Sequence, residues 1–153
     1  MNPLRVAVIG AGYWGPNLVR NLSEAPGAEP VAVADLLEER LERVRKRFPA
    51  LRVTTDHRAL FADPAVEAVC LATPVGTHRA LAEEAFAAGK HVFVEKPLAG
   101  TVADAEAILR AAERAGGPSW WATPSCTTRP SSLCARCSPL ARWATSTTWT
   151  ASA

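Results

Sequence analysis

Apolar residues along this chain follow two rhythms. Short, nearly unbroken runs at Arg5-Val6-Ala7-Val8-Ile9, Val31-Ala32-Val33-Ala34, Ala68-Val69-Cys70-Leu71-Ala72 and His91-Val92-Phe93-Val94 read as strands buried on both faces. Leu51-Arg52-Val53-Thr54 reads as a shorter strand of the same kind. Between them the apolar positions fall at helical spacing. Leu18, Val19 and Leu22 form one stripe, closed by Pro26-Gly27, and Leu37, Leu41, Val44 and Phe48 form another, closed by Pro49. Asp56 is placed to cap a brief helix through Phe61, Thr77 to cap an Ala-rich helix from His78 to Ala88, and Thr101 with Asp104 to form a capping box for a helix to about Ala115. Strands alternating with helices at this spacing predict right-handed βαβ units. The expected fold is therefore an α/β, doubly wound parallel sheet.

The first strand runs straight into Gly10-Ala11-Gly12-Tyr13-Trp14-Gly15, a Gly-x-Gly-x-x-Gly pattern that opens the first helix. In a strand–turn–helix nucleotide site, Gly10 permits the tight turn, Gly12 leaves bare backbone for a pyrophosphate, and Gly15 lets helix and strand pack closely. The phosphates would meet unpaired N–H groups at the helix N-terminus, where the dipole favours negative charge. Alone the pattern is weak, and a glycine-rich turn of another α/β domain competes with it. Its context strengthens it: the second strand ends in Asp35, placed where a carboxylate accepts both ribose hydroxyls of an adenosine. Asp35 favours NAD over NADP, since Leu36 and Leu37 bring no cation for a 2′-phosphate; Arg40, one turn on, moderates that preference. Gly12, Asp35, Thr73 and Lys96 all fall at carboxyl ends of strands, where parallel sheets bind ligands.

Composition changes the picture at one place. A length of 153 residues with a net charge of +2 suits a single globular domain and gives no argument for nucleic acid or membrane. With no apolar run near the roughly 20 residues of a membrane span and no signal-peptide pattern, the expected compartment is the cytoplasm. From Pro118 onward, however, there is no acid, lysine or glycine, and the segment holds four of the five Trp and three of the four Cys.

With those residues in place the chain resembles the N-terminal domain of the glucose–fructose oxidoreductase / inositol dehydrogenase / MocA (Gfo/Idh/MocA) family. The resemblance is carried by Val8-Ile9-Gly10-Ala11-Gly12-Tyr13-Trp14-Gly15, by Ala72-Thr73-Pro74 followed by His78, and by Gly89-Lys90-His91-Val92-Phe93-Val94-Glu95-Lys96-Pro97-Leu98-Ala99. It covers about Leu4 to Gly116, and Glu95-Lys96-Pro97 is its most specific part. It implies a Rossmann cofactor domain and NAD(P)-dependent oxidation or reduction of a hydroxyl or carbonyl on a sugar, cyclitol or nucleotide sugar. It also implies that Lys96 lies beside the nicotinamide and polarises the reacting oxygen, that Glu95 holds the loop containing Pro97, that Thr73 and Pro74 pass along the cofactor, and that His78 closes their loop. Taken alone, Lys96 reads as an ordinary loop lysine and His78 as a helix-start residue. No metal is expected. Members of this family are about twice as long or more, with a second domain that carries the substrate pocket, a catalytic histidine and the dimer contact; nothing here matches it, and no histidine follows His91. A homo-oligomer is expected only with that domain. The expectation is a dehydrogenase lineage represented by its cofactor part and inactive alone. A non-catalytic dinucleotide-binding module is the alternative.

The tail accordingly divides from the rest: residues 1–117 are expected to form the cofactor domain and 118–153 an aberrant tail with no domain of its own. Cys134 and Cys137 have a Cys-x-x-Cys spacing with Cys126 nearby, but three Cys and no His fall short of a four-ligand zinc site. A frameshift accounts for the composition better. Read from one base earlier, the single-codon Trp residues force Val at Trp120-Trp121, Gly at Trp121-Ala122 and Trp143-Ala144, and Asp at Trp149-Thr150. With suitable GC-rich codons elsewhere, the shifted reading becomes a strand ending in Gly-His, a helix, and Gly-x-Leu-Gly-x-Val-Tyr-Tyr, which resembles what the family carries next. The loss of the native segment predicts a sheet without its sixth strand.

Overall fold

The structure, a computed structural model, describes residues 2–116 and the strand Trp120–Trp121. In chain order it contains β1 (Leu4–Ile9), α1 (Gly15–Glu24), β2 (Ala28–Ala34), α2 (Glu38–Arg47), β3 (Arg52–Thr54), α3 (His57–Ala62), β4 (Ala68–Leu71), a 3-10 turn (Val75–Thr77), α4 (His78–Ala87), β5 (His91–Val94), α5 (Val102–Ala115) and β6 (Trp120–Trp121). The strands form one parallel sheet in the order β3-β2-β1-β4-β5-β6, the doubly wound arrangement with its switch point between β1 and β4. The fold is a Rossmann fold.

Alternation along each strand feeds two cores. Val6, Val8, Val33, Ala68 and Cys70 face Leu18, Val19 and Leu22 of α1 and Leu41 and Val44 of α2. Ala7, Ile9, Val69, Leu71, Val92 and Val94 face Phe61 of α3, Phe86 of α4 and Ile108 of α5. A strand whose neighbours point to opposite cores has to be apolar throughout, which is why these runs lack a polar face. Leu41 is fully buried; truncating such a residue to Ala costs about 2–5 kcal/mol.

Several local expectations are corrected. β2 begins at Ala28, ahead of Val31, and takes in Pro30. The register shifts between Val6 and Ala7, whose partners are Pro30 and Ala32, so the strand bulges where proline has no N–H to give. Leu37 lies outside the inner stripe of α2: it is the N-cap residue, 53% exposed, and the helix buries Leu41 and Val44. Thr77 stands at the N-cap of α4 but makes no capping bond, because its hydroxyl is engaged with Thr73 Oγ1 and the Pro74 carbonyl. The Thr101–Asp104 box forms in half. Thr101 Oγ1 accepts from the Asp104 N–H, but the Asp104 carboxylate takes the Thr101 hydroxyl at 2.7 Å. Aspartate is one methylene shorter than the usual glutamate of a capping box.

A sixth strand is present, contrary to expectation. Trp120 and Trp121 pair with Phe93 and Val94. Two extended residues suffice for this pairing, since parallel ladders are backbone bonds and tolerate side-chain identity. Cys126, Cys134, Cys137 and the rest of the tail lie outside the described residues.

Candidate cofactor site

Four strand ends converge at the carboxyl edge of the sheet. The Gly10 N–H donates to the Ala34 carbonyl at 2.7 Å, which ties the end of β1 to the end of β2. Gly10 adopts φ +100°, and a Cβ there would stand 2.7 Å from the Ala72 oxygen just beyond β4. Glycine alone allows both the turn and that approach. A Cβ on Gly15 would overlap the Gly10 carbonyl oxygen, so α1 packs directly onto the turn. Gly12 differs: the nearest atom to a Cβ there is Arg40 Nη1 at 3.8 Å, which leaves its backbone open on that side.

The N-terminus of α1 faces the same edge. Its N-cap, Trp14, makes no side-chain capping bond, and Pro16 stands in its first turn. Among the described residues, the N–H groups of Gly12, Tyr13, Trp14 and Gly15 have no protein partner. Helix N-termini carry partial positive charge and satisfy such groups with anions. Tyr13 and Trp14 turn their rings outward, edge to face with centroids 5.3 Å apart, and offer the site their backbone.

Asp35 is one of two buried polar or charged side chains among the described residues; His78 is the other. The Asp35 carboxylate turns inward. Oδ2 accepts the Ala11 N–H at 2.7 Å and faces Arg40 Nη1 at 3.3 Å, while Oδ1 accepts the Leu37 N–H at 2.8 Å. The glycine turn is thus braced by the acid at the end of the neighbouring strand.

His78 does the corresponding work on the other side of the switch point. Its Nε2 lies 2.8 Å from the Thr73 oxygen, and its Nδ1 lies 3.1 Å from the Pro97 oxygen and 3.3 Å from the Leu98 oxygen. One buried ring therefore joins the Thr73-Pro74 loop to the Lys96-Pro97-Leu98 loop. Glu95 anchors the second loop through its backbone, whose N–H donates to the Leu71 carbonyl at 2.9 Å. Burial, reinforced by the Glu95 carboxylate, pushes the Cys70 thiol beneath this loop up to about 12. Lys96 is exposed, and its side chain has no hydrogen-bond partner among the described residues.

The structure brings together Gly10, Ala11 and Asp35 on one side and Thr73, His78 and Pro97 on the other, with Gly10 pressed against Ala72 between them. Ala72 and Leu98 contribute through carbonyl oxygens, which no side-chain motif advertises. A concavity lined by Ser23, Ala28, Arg47, Phe48 and Leu51 lies at the opposite, N-terminal ends of β2 and β3, away from the ligand-binding edge. Among the described residues no cluster of three or more His, Cys, Asp or Glu is placed to hold a metal, and no helix is long and apolar enough to cross a membrane. Open backbone at Gly12, a helix N-terminus without a cap and a buried acid at the second strand together fit a dinucleotide.

The chain is similar in sequence and fold to known proteins. Inositol 2-dehydrogenase of Acidothermus cellulolyticus is 44% identical over 115 residues, 74% of this chain and 33% of that protein. The structure of an oxidoreductase from Agrobacterium radiobacter in complex with NAD+, L-tartaric acid and magnesium superposes with a TM-score of 0.75 at 35% identity, covering 78% of this chain and 35% of that one. A 3-ketoreductase from Actinomadura kijaniata in complex with NADP and TDP-benzene superposes with a TM-score of 0.72 at 30% identity, covering 78% and 37%. The chain thus spans about a third of the length of the relatives it matches. The profile of one family, described as "Oxidoreductase family, NAD-binding Rossmann fold", matches residues 4–122, which include every strand and every loop of the site. This chain belongs to that family, the Gfo/Idh/MocA oxidoreductases.

Proposed function

We propose that this chain binds NAD(H), in preference to NADP(H), as the cofactor part of an oxidoreductase that acts on a hydroxyl or carbonyl of a sugar, cyclitol or nucleotide sugar. The observation that carries the reading is the open α1 N-terminus behind Gly12, braced from below by Asp35. The N–H groups of Gly12, Tyr13, Trp14 and Gly15 would hold the pyrophosphate, and Asp35 would read the adenosine ribose. Thr73 and Pro74 would line the path towards the nicotinamide, with His78 keeping their loop and the Lys96 loop in one register. The bound nicotinamide supplies the hydride acceptor or donor. Lys96, exposed and without a protein partner among the described residues, would donate a hydrogen bond from its Nζ to the reacting oxygen. The relatives named as inositol and apiose dehydrogenases support the substrate class.

A second reading is a dinucleotide-binding module without turnover. It is supported by the site itself, whose described residues other than Lys96 serve the cofactor cradle or brace its loops. For the 153-residue chain the two readings combine: it binds cofactor and does not turn over, and the lineage is enzymatic. Residues 118–153 are then an aberrant tail, and the cytoplasm is the proposed compartment. The test is a calorimetric titration with NADH and with NADPH, followed by NAD-linked assays with inositol and sugars. NADH binding tighter than NADPH binding, without turnover, is the expected result. Failure of both cofactors to bind refutes the site, and equal or tighter NADPH binding refutes the preference.

A further inference from the structure

The loop that carries Lys96 is fastened at both ends and at one place between them. The Glu95 N–H ties the end of β5 to Leu71, and at the start of α5 Asp104 takes the Thr101 hydroxyl and Arg79 Nη1. Among the described residues, only the His78 ring bonds residues 96–100, through Nδ1, which lies 3.1 Å from the Pro97 oxygen and 3.3 Å from the Leu98 oxygen. Nε2 of the same ring lies 2.8 Å from the Thr73 oxygen. All three neighbours are carbonyl oxygens, which only accept, whereas a neutral imidazole has one N–H to donate. The ring is 2% exposed, so bulk water does not serve the second nitrogen. A neutral ring keeps its proton on Nε2, because a lone pair set against an oxygen at 2.8 Å costs more than one at 3.1 Å. Nδ1 then turns its lone pair towards Pro97 and Leu98 and holds neither.

We propose that His78 is a proton-operated clasp and a positioning residue for Lys96: with one ring proton it holds the Thr73 loop alone, and with two it also holds the Pro97-Leu98 backbone. The second proton turns a repulsive contact into a charge-assisted N–H shared between two carbonyl oxygens. Burial and the positive end of α4, whose first residue is His78, work against that proton, and the three carbonyls work for it. The charged side chains at the adjoining ends of the packed elements are Arg79 and Glu83 of α4, Glu95 and Lys96 after β5, and Asp104 of α5. Arg79 pairs with Glu83 and Asp104, and none of these groups bonds to the ring. The carbonyl oxygens therefore decide what the second proton does. Acidification closes the clasp and fixes Lys96 relative to the Thr73 loop. Alkali releases it, while Leu98 and Ala99 keep their packing against the core. The consequence for cofactor binding rests on the dinucleotide reading of the site; the clasp itself does not.

The test follows the His78 ring nitrogens of the isotope-labelled chain by NMR from about pH 5 to pH 8, the range in which histidine side chains change charge. Two N–H groups are expected at the acid end and one, on Nε2, at the alkaline end. The backbone signals of Lys96 and Leu98 should move with the same midpoint, while that of Glu95, held by Leu71, stays in place. NADH affinity should rise about fivefold or more on acidification through that midpoint. His78→Gln keeps a donor but has no proton to gain, so it should remove the pH dependence of both the loop signals and NADH binding. Should that variant fail to fold, the wild-type ring and loop signals decide alone. A ring whose charge does not change in this range, a lone proton on Nδ1 at the alkaline end, or a titration that leaves Lys96 and Leu98 unmoved overturns the proposal. A chain that shows the linked titration but binds no NADH upholds the clasp and overturns the cofactor reading.

Discussion

Replacing Asp35 with alanine should weaken the fold itself, before any question of cofactor arises. The side chain is 5% exposed and accepts two backbone N–H groups, from Ala11 at 2.7 Å and Leu37 at 2.8 Å. Hydrogen bonds to a charged acceptor contribute about 1.5–3 kcal/mol each. Losing the two bonds has unequal consequences. Leu37 is exposed, so water replaces its bond at small net cost, whereas Ala11 is buried and its N–H is left without a partner. The Arg40 pair, half in solvent, adds at most about 1 kcal/mol. The expected loss is therefore about 2–4 kcal/mol, dominated by Ala11, which corresponds to a fall in melting temperature of roughly 4–16 °C for a chain of this size. Asp35→Asn keeps one carbonyl oxygen and should lose about half as much. Thermal unfolding followed by circular dichroism measures the loss. Hydrogen exchange adds a local readout, since the Ala11 amide should exchange much faster in Asp35→Ala while amides of α5 change only with global stability. A melting temperature within about 1 °C of wild type, or an Ala11 amide still protected, would refute the bracing role. The result also controls the interpretation of binding data, because a cofactor lost in Asp35→Ala is not by itself evidence of ribose recognition.

Further outcomes are expected elsewhere. His78→Ala removes a buried ring that faces three carbonyl oxygens and leaves a cavity, so it should cost about 2–4 kcal/mol in denaturant titrations; a loss under about 0.5 kcal/mol would show the two loops are held otherwise. Lys96→Ala, at an exposed position, should leave the melting temperature and NADH affinity nearly unchanged; a large drop in stability would place the lysine in the fold rather than at the reacting oxygen. Hydrogen bonds from the Arg52 side chain to Asp63, the Arg5 N–H to Glu67, the Arg58 side chain to Glu84 and the Thr101 hydroxyl to Asp104 hold these carboxyls below their ordinary values. Such groups contribute stability that is fully present above the ordinary values of 3.8 to 4.5 and is lost as pH falls through the lower native ones, so the urea midpoint should decline with acidification there; a level midpoint down to about pH 3 would contradict this. Cys70, with its thiol raised to about 12, should resist iodoacetamide in the native state and react after denaturation, as read by peptide mapping; rapid native labelling would mean that β4 opens readily.

Much of this protein was legible from pattern alone, because the physics involved is local or periodic. Runs such as Val6–Ile9 and Ala68–Leu71 have to be apolar when both faces of a strand are covered, and Gly10-Ala11-Gly12-Tyr13-Trp14-Gly15 marks a turn that only glycines permit. Asp56 and Thr101 identified helix starts because a cap acts on the next few residues. Where a side chain's partner is distant in sequence, pattern was silent. Leu37 looked like a core position of α2 until its N–H was drawn to Asp35 and its side chain left in solvent. β2 extends back through Pro30 because the bulge against β1 accommodates it. Trp120–Trp121 carries no expected strand signal, yet the unpaired edge of β5 supplies a backbone ladder for it. The inward turn of Asp35, the Arg40 contact beside Gly12 and the His78 bridge between two loops likewise depend on which strand ends become neighbours. Residue types and spacing specified the sheet and the glycine turn, because those depend on each residue's own conformation and burial. Only the tertiary structure decided which buried polar groups hold the loops in place, because a hydrogen bond across the switch point exists only once β1 and β4 lie side by side.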